Sequence, residues 1–305
     1  MLAFSDQNFH KDSTMFRDQL VEHLTSWLTI NPYKGCSLKC GYCFRANWHE
    51  SSVPEQLSSV TECMQSLLAH SSFIKDMTPI SINNSSTDPL LPQVKNSTFE
   101  AIEYLEQLEL TNPFIIISKL ALKPEDIDRV KALKFIRIIF FASLAFIPKH
   151  IEPSPIKPRI QNLINLQQAG IPTVVYFRPI VKGWNDSIEL ITKALETAQA
   201  YSNAICIGGL RMSPQIRTEL SKLDIHVDDF PDDFHEKQFQ KSIESDIYSI
   251  YTHLKLTVPL FKHSSCAVSH LIGINNYNLL YKNKEKNCTK TCPIEQQLKC
   301  NASNK

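Results

Sequence analysis

Short apolar runs recur along the chain, and each is followed by a stretch with helical spacing. The runs at 27–31, 79–83 (PISIN), 114–118 (FIIIS), 136–141 (IRIIFF), 173–180 (TVVYFRPI) and 204–208 (AICIG) predict strands. Their near-continuous apolar character, without alternation, is that of strands covered on both faces. Helices are predicted over 60–70, 97–108, 124–133, 159–169, 187–201, 214–223 and 234–254. Ser97 with Glu100 three residues on reads as a capping box, and Gly170 as the residue that ends the helix before it. In the longest helix Phe239, Ile243, Ile247, Ile250 and Leu254 share one face. A last strand is expected within 256–261.

Six strand–helix units imply an α/β fold with a parallel sheet. They are too few for a closed eightfold barrel, so a partial (β/α)6 TIM-type barrel is expected. In such folds chemistry sits at the C-terminal ends of the strands. Residues 1–263 are assigned to the partial barrel, including an N-terminal helix. Residues 264–305 are rich in Asn, Lys and Cys with little periodicity, and are assigned to a cysteine-rich appendage over the barrel mouth.

The charge balance excludes little but points away from polyanions. The chain's 305 residues carry 32 basic and 31 acidic side chains, a formal net charge of +1. Nucleic-acid binding normally leaves a basic footprint, so it is not expected. No apolar run has the length of a membrane span, and the first residues lack a secretory pattern. A cytoplasmic protein is expected. Nine cysteines are many for a reducing compartment, and seven fall at 36–43, 266 and 288–300. Clustered thiols there point to metal or catalytic use. Cys63 and Cys206 read as small buried hydrophobes, although Cys206 alternates with Ile205 and Ile207 and can face the lumen.

The run NPYKGCSLKCGYCF places Cys36, Cys40 and Cys43 as C-x3-C-x2-C just after the first strand. Cuboidal iron–sulfur clusters are held by cysteine thiolates, normally four. Three thiolates from one loop can hold a [4Fe–4S] cluster and leave one iron open. That iron can chelate S-adenosylmethionine (SAM), whose reductive cleavage yields a 5′-deoxyadenosyl radical. A zinc knuckle is the plainer reading. Tyr42 before the third cysteine, and the strand–helix series behind the loop, favour the cluster.

These residues resemble the radical SAM superfamily, in the branch that contains spore photoproduct lyase. The resemblance covers roughly residues 25–270. It implies that Tyr42, Thr87, Asp88, Lys119, Ser143, Arg159 and Arg178 serve SAM. Thr87-Asp88-Pro89 stands where the superfamily meets the SAM amino group, and Ser118-Lys119 where the branch meets the carboxylate. Glu152-Pro153 with Arg159, Arg178-Pro179 and Gly208-Gly209-Leu210-Arg211 resemble further elements of that branch. It also implies an electron donor such as a flavodoxin or ferredoxin, and a small polar substrate.

Cys288, Cys292 and Cys300 form C-x3-C-x7-C in the polar tail. They suit a second [4Fe–4S] cluster better than zinc, which usually draws on two close pairs. Unliganded or redox-paired thiols remain a third reading. Cys266 lies just past the last strand. A thiol can give a hydrogen atom to a carbon radical, and the tail resembles radical SAM epimerases with a late donor cysteine and an additional cluster. That likeness implies an epimerase with Cys266 as donor; otherwise Cys266 is the fourth ligand of the second cluster. The alternatives are a lyase repairing a pyrimidine dimer, sulfur insertion from the second cluster, and a metal-binding interaction protein without turnover.

Overall fold

The computed structural model describes residues 19–24, 26–48, 52–227, 230, 232, 241–281 and 289–302. The expected N-terminal helix, the first turns of the 234–254 helix and Cys288 lie outside the described residues. In chain order the elements begin with β1 (Val21–His23), β2 (Leu28–Ile30), β3 (Tyr33–Lys34), β4 (Glu55–Gln56), α1 (Val60–Leu68), β5 (Ile80–Ile82) and α2 (Lys95–Gln107). They continue with β6 (Pro113–Ser118), α3 (Pro124–Lys131), β7 (Arg137–Ser143), α4 (Ile156–Gln168), β8 (Thr173–Phe177) and α5 (Ile188–Tyr201). The last are β9 (Ala204–Ile207), α6 (Pro214–Ser221), α7 (Lys241–His253), β10 (Leu260–Phe261), α8 (Ser264–Ile272), α9 (Asn278–Tyr281) and α10 (Ile294–Ala302).

Eight strands form one sheet in the order β1-β2-β5-β6-β7-β8-β9-β10. Only β1 runs antiparallel, beside β2; the other neighbours are parallel. The strand order never returns to its start, so this is a partial barrel, as the six-unit count implied.

The unalternating strands are explained by two apolar layers. On the outer face Ile80, Phe114, Ile116, Phe140 and Val175 pack with Met64, Phe99, Leu163, Leu195 and Ile247 from the surrounding helices. On the inner face Trp27, Ile115, Ile139, Phe141, Val174 and Phe261 pack with Ala267 and Val268 of α8 and with Cys292. In the tail, expected to show little periodicity, the described residues form α8, α9 and α10, and α8 packs on the inner face. The tail's short amphipathic turns, broken by Gly273 and Pro293, gave too few periods to read.

Two helix ends compare differently with expectation. Ser97 does not cap α2. The helix starts earlier, after Val94, and the Ser97 hydroxyl donates to the Val94 carbonyl at 2.7 Å. Gly170 does end α4 in the left-handed region, at φ 72°. A Cβ there meets nothing within 4 Å, so the cost of Gly170→Ala is the backbone's alone. We expect about 1–2 kcal/mol of destabilisation, read as a lower urea midpoint with unchanged slope.

Candidate active site

The C-terminal ends of β2, β5, β6 and β7 surround a cavity of about 330 Å³. Cys36, Cys40 and Cys43 line it, together with Thr87, Asp88, Lys119 and Ser143. Residues 44–107 apart in sequence thus meet because parallel strands deliver all their chain exits to one end. Leu38, Lys39, Phe44, Arg45, Asn84, Ser85 and Glu219 complete much of the wall. The sequence reading passed over these seven; those beside the cysteines and Thr87 were within reach of it by adjacency alone.

The cysteine loop is fixed from behind. The Gly41 amide donates to the Ile151 carbonyl at 2.9 Å. The Tyr42 hydroxyl donates to Glu152 Oε2 in a short hydrogen bond. Glu152 also takes Arg159 Nη1 on Oε1 at 2.5 Å, and Lys119 Nζ stands 3.9 Å from Oε2. Arg159 is 1% exposed and spends its other contacts on the Ser143 carbonyl (2.8 Å) and the Ser154 carbonyl (2.6 Å). Neither Tyr42 nor Arg159 lines the cavity; both brace its wall. Glu152 is the hub of this network. Its partners are 7, 33 and 110 residues away, a separation that leaves no local signal.

Asp88 ties two strand ends together. Its carboxylate accepts from Ser118 Oγ (2.7 Å), the Lys119 amide (2.8 Å) and the Leu90 amide (3.0 Å). Burial raises its pKa above the usual range, against the pull of those donors. Thr87 Oγ1 is buried in the wall and has no hydrogen-bond partner among the described residues. Lys119 loses charge stability to burial, but Cys40 and Glu152 beside it outweigh this and raise its pKa.

These residues fit a thiolate-bound cluster and a zwitterionic ligand. Burial pushes the Cys40 thiol up to about 12, against Lys119, and raises Cys43 as well. A thiolate in this cavity therefore needs a cation in the proton's place, which iron supplies. Among the described residues no three Cys, His, Asp or Glu side chains converge on a single-ion point. A cuboid, whose irons each take their own thiolate, does not require such convergence. Thr87 Oγ1 offers an acceptor for an amine, and Lys119 Nζ a cation for a carboxylate.

Arg178 lies outside this cavity, one strand further on. Its Nε donates to the Ile207 carbonyl (2.9 Å), Nη1 to the Tyr176 hydroxyl (3.1 Å), and Nη2 to Cys206 Sγ (3.1 Å) and the Lys262 carbonyl. Cys206 does face the inner side, within the α8 cluster. Cys266 is half-buried on the first turn of α8, outside the cavity wall, and Asn276 Nδ2 donates to its Sγ at 3.1 Å. Cys292 and Cys300 are buried, and Gln296 Nε2 donates to Cys300 Sγ at 3.3 Å. Cys292 packs into the same apolar cluster that Cys266 borders.

No family model matches the chain, and no curated protein sequence matches it. Solved structures do. SuiB of Streptococcus suis bound to S-adenosylmethionine superposes with a TM-score of 0.53 at 12% identity over 84% of this chain. The chain spans only 55% of SuiB. A spore photoproduct lyase variant with a dinucleoside spore photoproduct gives 0.53 at 13% identity, covering 72% of each chain. A radical SAM methyltransferase from Sphaerobacter thermophilus gives 0.54 at 13% identity, covering 80% of this chain and 68% of its own. The chain has the partial-barrel fold of the radical SAM enzymes.

Proposed function

We propose that this protein is a radical SAM enzyme acting on a small polar substrate, and that it epimerises a carbon centre. The observation that carries the first part is the shared cavity of the three loop cysteines, Thr87, Lys119 and Ser143. When bound, a [4Fe–4S] cluster with SAM supplies a 5′-deoxyadenosyl radical that takes a hydrogen atom from the substrate. Cys36, Cys40 and Cys43 would hold the cluster. Lys119 and Thr87 would orient SAM through its carboxylate and amine, with Ser143 beside them. Asp88 fixes the Lys119 backbone, and Glu152 sets the Lys119 side chain against Tyr42.

Cys266 is proposed to return a hydrogen atom to the opposite face of the substrate carbon. Its S–H bond breaks, a C–H bond forms, and the sulfur then needs one electron and one proton. Cys288, Cys292 and Cys300 are proposed to hold a second [4Fe–4S] cluster; the apolar cluster shared by Cys292 and Cys266 supports this arrangement. On this reading residues 264–305 form a functional unit apart from the barrel, and a flavodoxin or ferredoxin supplies electrons. No described helix is long and apolar enough to cross a membrane.

Anaerobic reconstitution followed by iron and sulfide analysis tests both clusters. About eight irons per chain are expected, and about four would remove the second cluster from the scheme. With SAM and a reductant the holoprotein should release 5′-deoxyadenosine; none would sink the radical reading. Cys266→Ala is expected to leave SAM cleavage intact and to stop inversion. If that variant still inverts the centre, the donor lies elsewhere.

A further inference from the structure

We propose that the inner face carries a subsite for an anionic group of the substrate, a carboxylate or phosphate, built from Arg178 and the first turn of α8. It rests on the radical reading only in calling the ligand a substrate. The placement follows from register. Ser143 pairs with Tyr176, Tyr176 with Cys206, and Cys206 with Phe261. Adjacent strands lie about 4.8 Å apart, so Tyr176 is one strand from the cavity wall and Cys206 two. Arg178 follows the end of β8, and its Nη1 reaches the Tyr176 hydroxyl on that face.

Arg178 is only 7% exposed, and its four partners are two backbone carbonyls, a phenol and a thiol. Among the described residues no carboxylate forms an ion pair with it. A charge held out of water is costly unless an opposite charge meets it. Of five guanidinium hydrogens, the four bonds leave one on Nη1 uncommitted.

A second source of positive potential points at the same place. Ser264, the first residue of α8, has its Oγ 3.4 Å from the Tyr176 hydroxyl and 3.9 Å from Cys206 Sγ. Helix N-termini favour anions through their partial charge and their unused amides. The arrangement is built into the chain. A Cβ at Gly208 would lie 2.6 Å from Arg178 Nε, so only glycine lets the guanidinium lie across β9. The anion would sit beside the SAM cavity and two residues before Cys266, between the radical's source and its proposed quencher.

The test uses reconstituted holoprotein with SAM at saturation, so that the SAM cavity is filled first. Inorganic phosphate and acetate are titrated separately at constant ionic strength by calorimetry. At least one is expected to bind saturably, and which one binds tells phosphate from carboxylate. Arg178→Gln should weaken that binding about tenfold or more, through loss of a charge-assisted hydrogen bond, with SAM affinity unchanged. Ser264→Asp places a carboxylate at the same point. It should abolish anion binding and raise the unfolding midpoint, a result that does not depend on how well the arginine variant folds. Saturable binding of neither anion, or equal binding by wild type and both variants, overturns the proposal. So does Arg178→Gln weakening SAM and not the anion. Anion binding without 5′-deoxyadenosine release would instead count against the radical reading alone.

Discussion

Cys40→Ala is expected to abolish the proposed SAM-binding cluster. Iron should fall by about four per chain, and the reduced protein should lose its corresponding EPR signal. 5′-Deoxyadenosine formation should drop to the uncatalysed level, a loss on the order of 10⁶-fold or more. The reasoning is geometric as well as chemical. Cys40 is the central thiol of the loop, beside Lys119, and among the described residues no other cysteine lines the cavity except Cys36 and Cys43. A water or hydroxide in place of the missing thiolate would face burial that already disfavours negative charge. Unfolding of the apo variant should change little, since alanine keeps the Cβ and removes only the sulfur. Unchanged iron content with retained SAM cleavage would refute the ligand assignment.

The second large effect is structural. Glu152→Ala is expected to destabilise the protein by about 3–5 kcal/mol. Glu152 and Arg159 side chains are each 1% exposed and 2.5 Å apart. Removing the carboxylate leaves the Arg159 guanidinium buried without its counter-charge, strips Lys119 of its neighbour, and orphans the Tyr42 hydroxyl. Glu152→Gln keeps an acceptor for Tyr42 and should cost less, with the penalty concentrated on Arg159. Urea unfolding of the three proteins, compared at constant slope, measures this. A loss below about 1 kcal/mol for alanine would place Glu152 among ordinary surface acids. The variant should also loosen the cysteine loop, because Tyr42 lies between Cys40 and Cys43 and loses its anchor.

How far the sequence reveals this site depends on the length scale of each signal. The three cysteines and the FIIIS and TVVYF strands are local patterns, and each is legible. Thr87 and Lys119 are legible by position, because parallel strands bring their following residues to one end. Glu152 is visible only as part of a motif resemblance; its role depends on three side chains from three other segments. The start of α2 depends on the Leu91–Val94 turn, whose backbone bonds feed the helix before Ser97 is reached. The short strand Val21–His23 carries one buried residue in three, too little to distinguish from a loop. Arg178 is legible as a strand-end arginine, but its separation from the SAM cavity emerges only from register with Ser143.

The seat of α8 on the inner face also has a consequence for how the protein is made. Trp27, just ahead of β2, and Cys292, in the tail, belong to one apolar cluster. The outer layer can assemble unit by unit as each helix follows its strand, but the inner layer lacks α8 until residues 264–272 emerge. At about 5–20 residues per second, some 265 residues separate the two partners by roughly 10–50 s of synthesis. From the emergence of Val174 to that of Ser264 at the start of α8, some 90 residues later, Ile115, Ile139, Phe141 and Val174 lack the helix that covers them. A chaperone has that hydrophobic surface to hold in the interval.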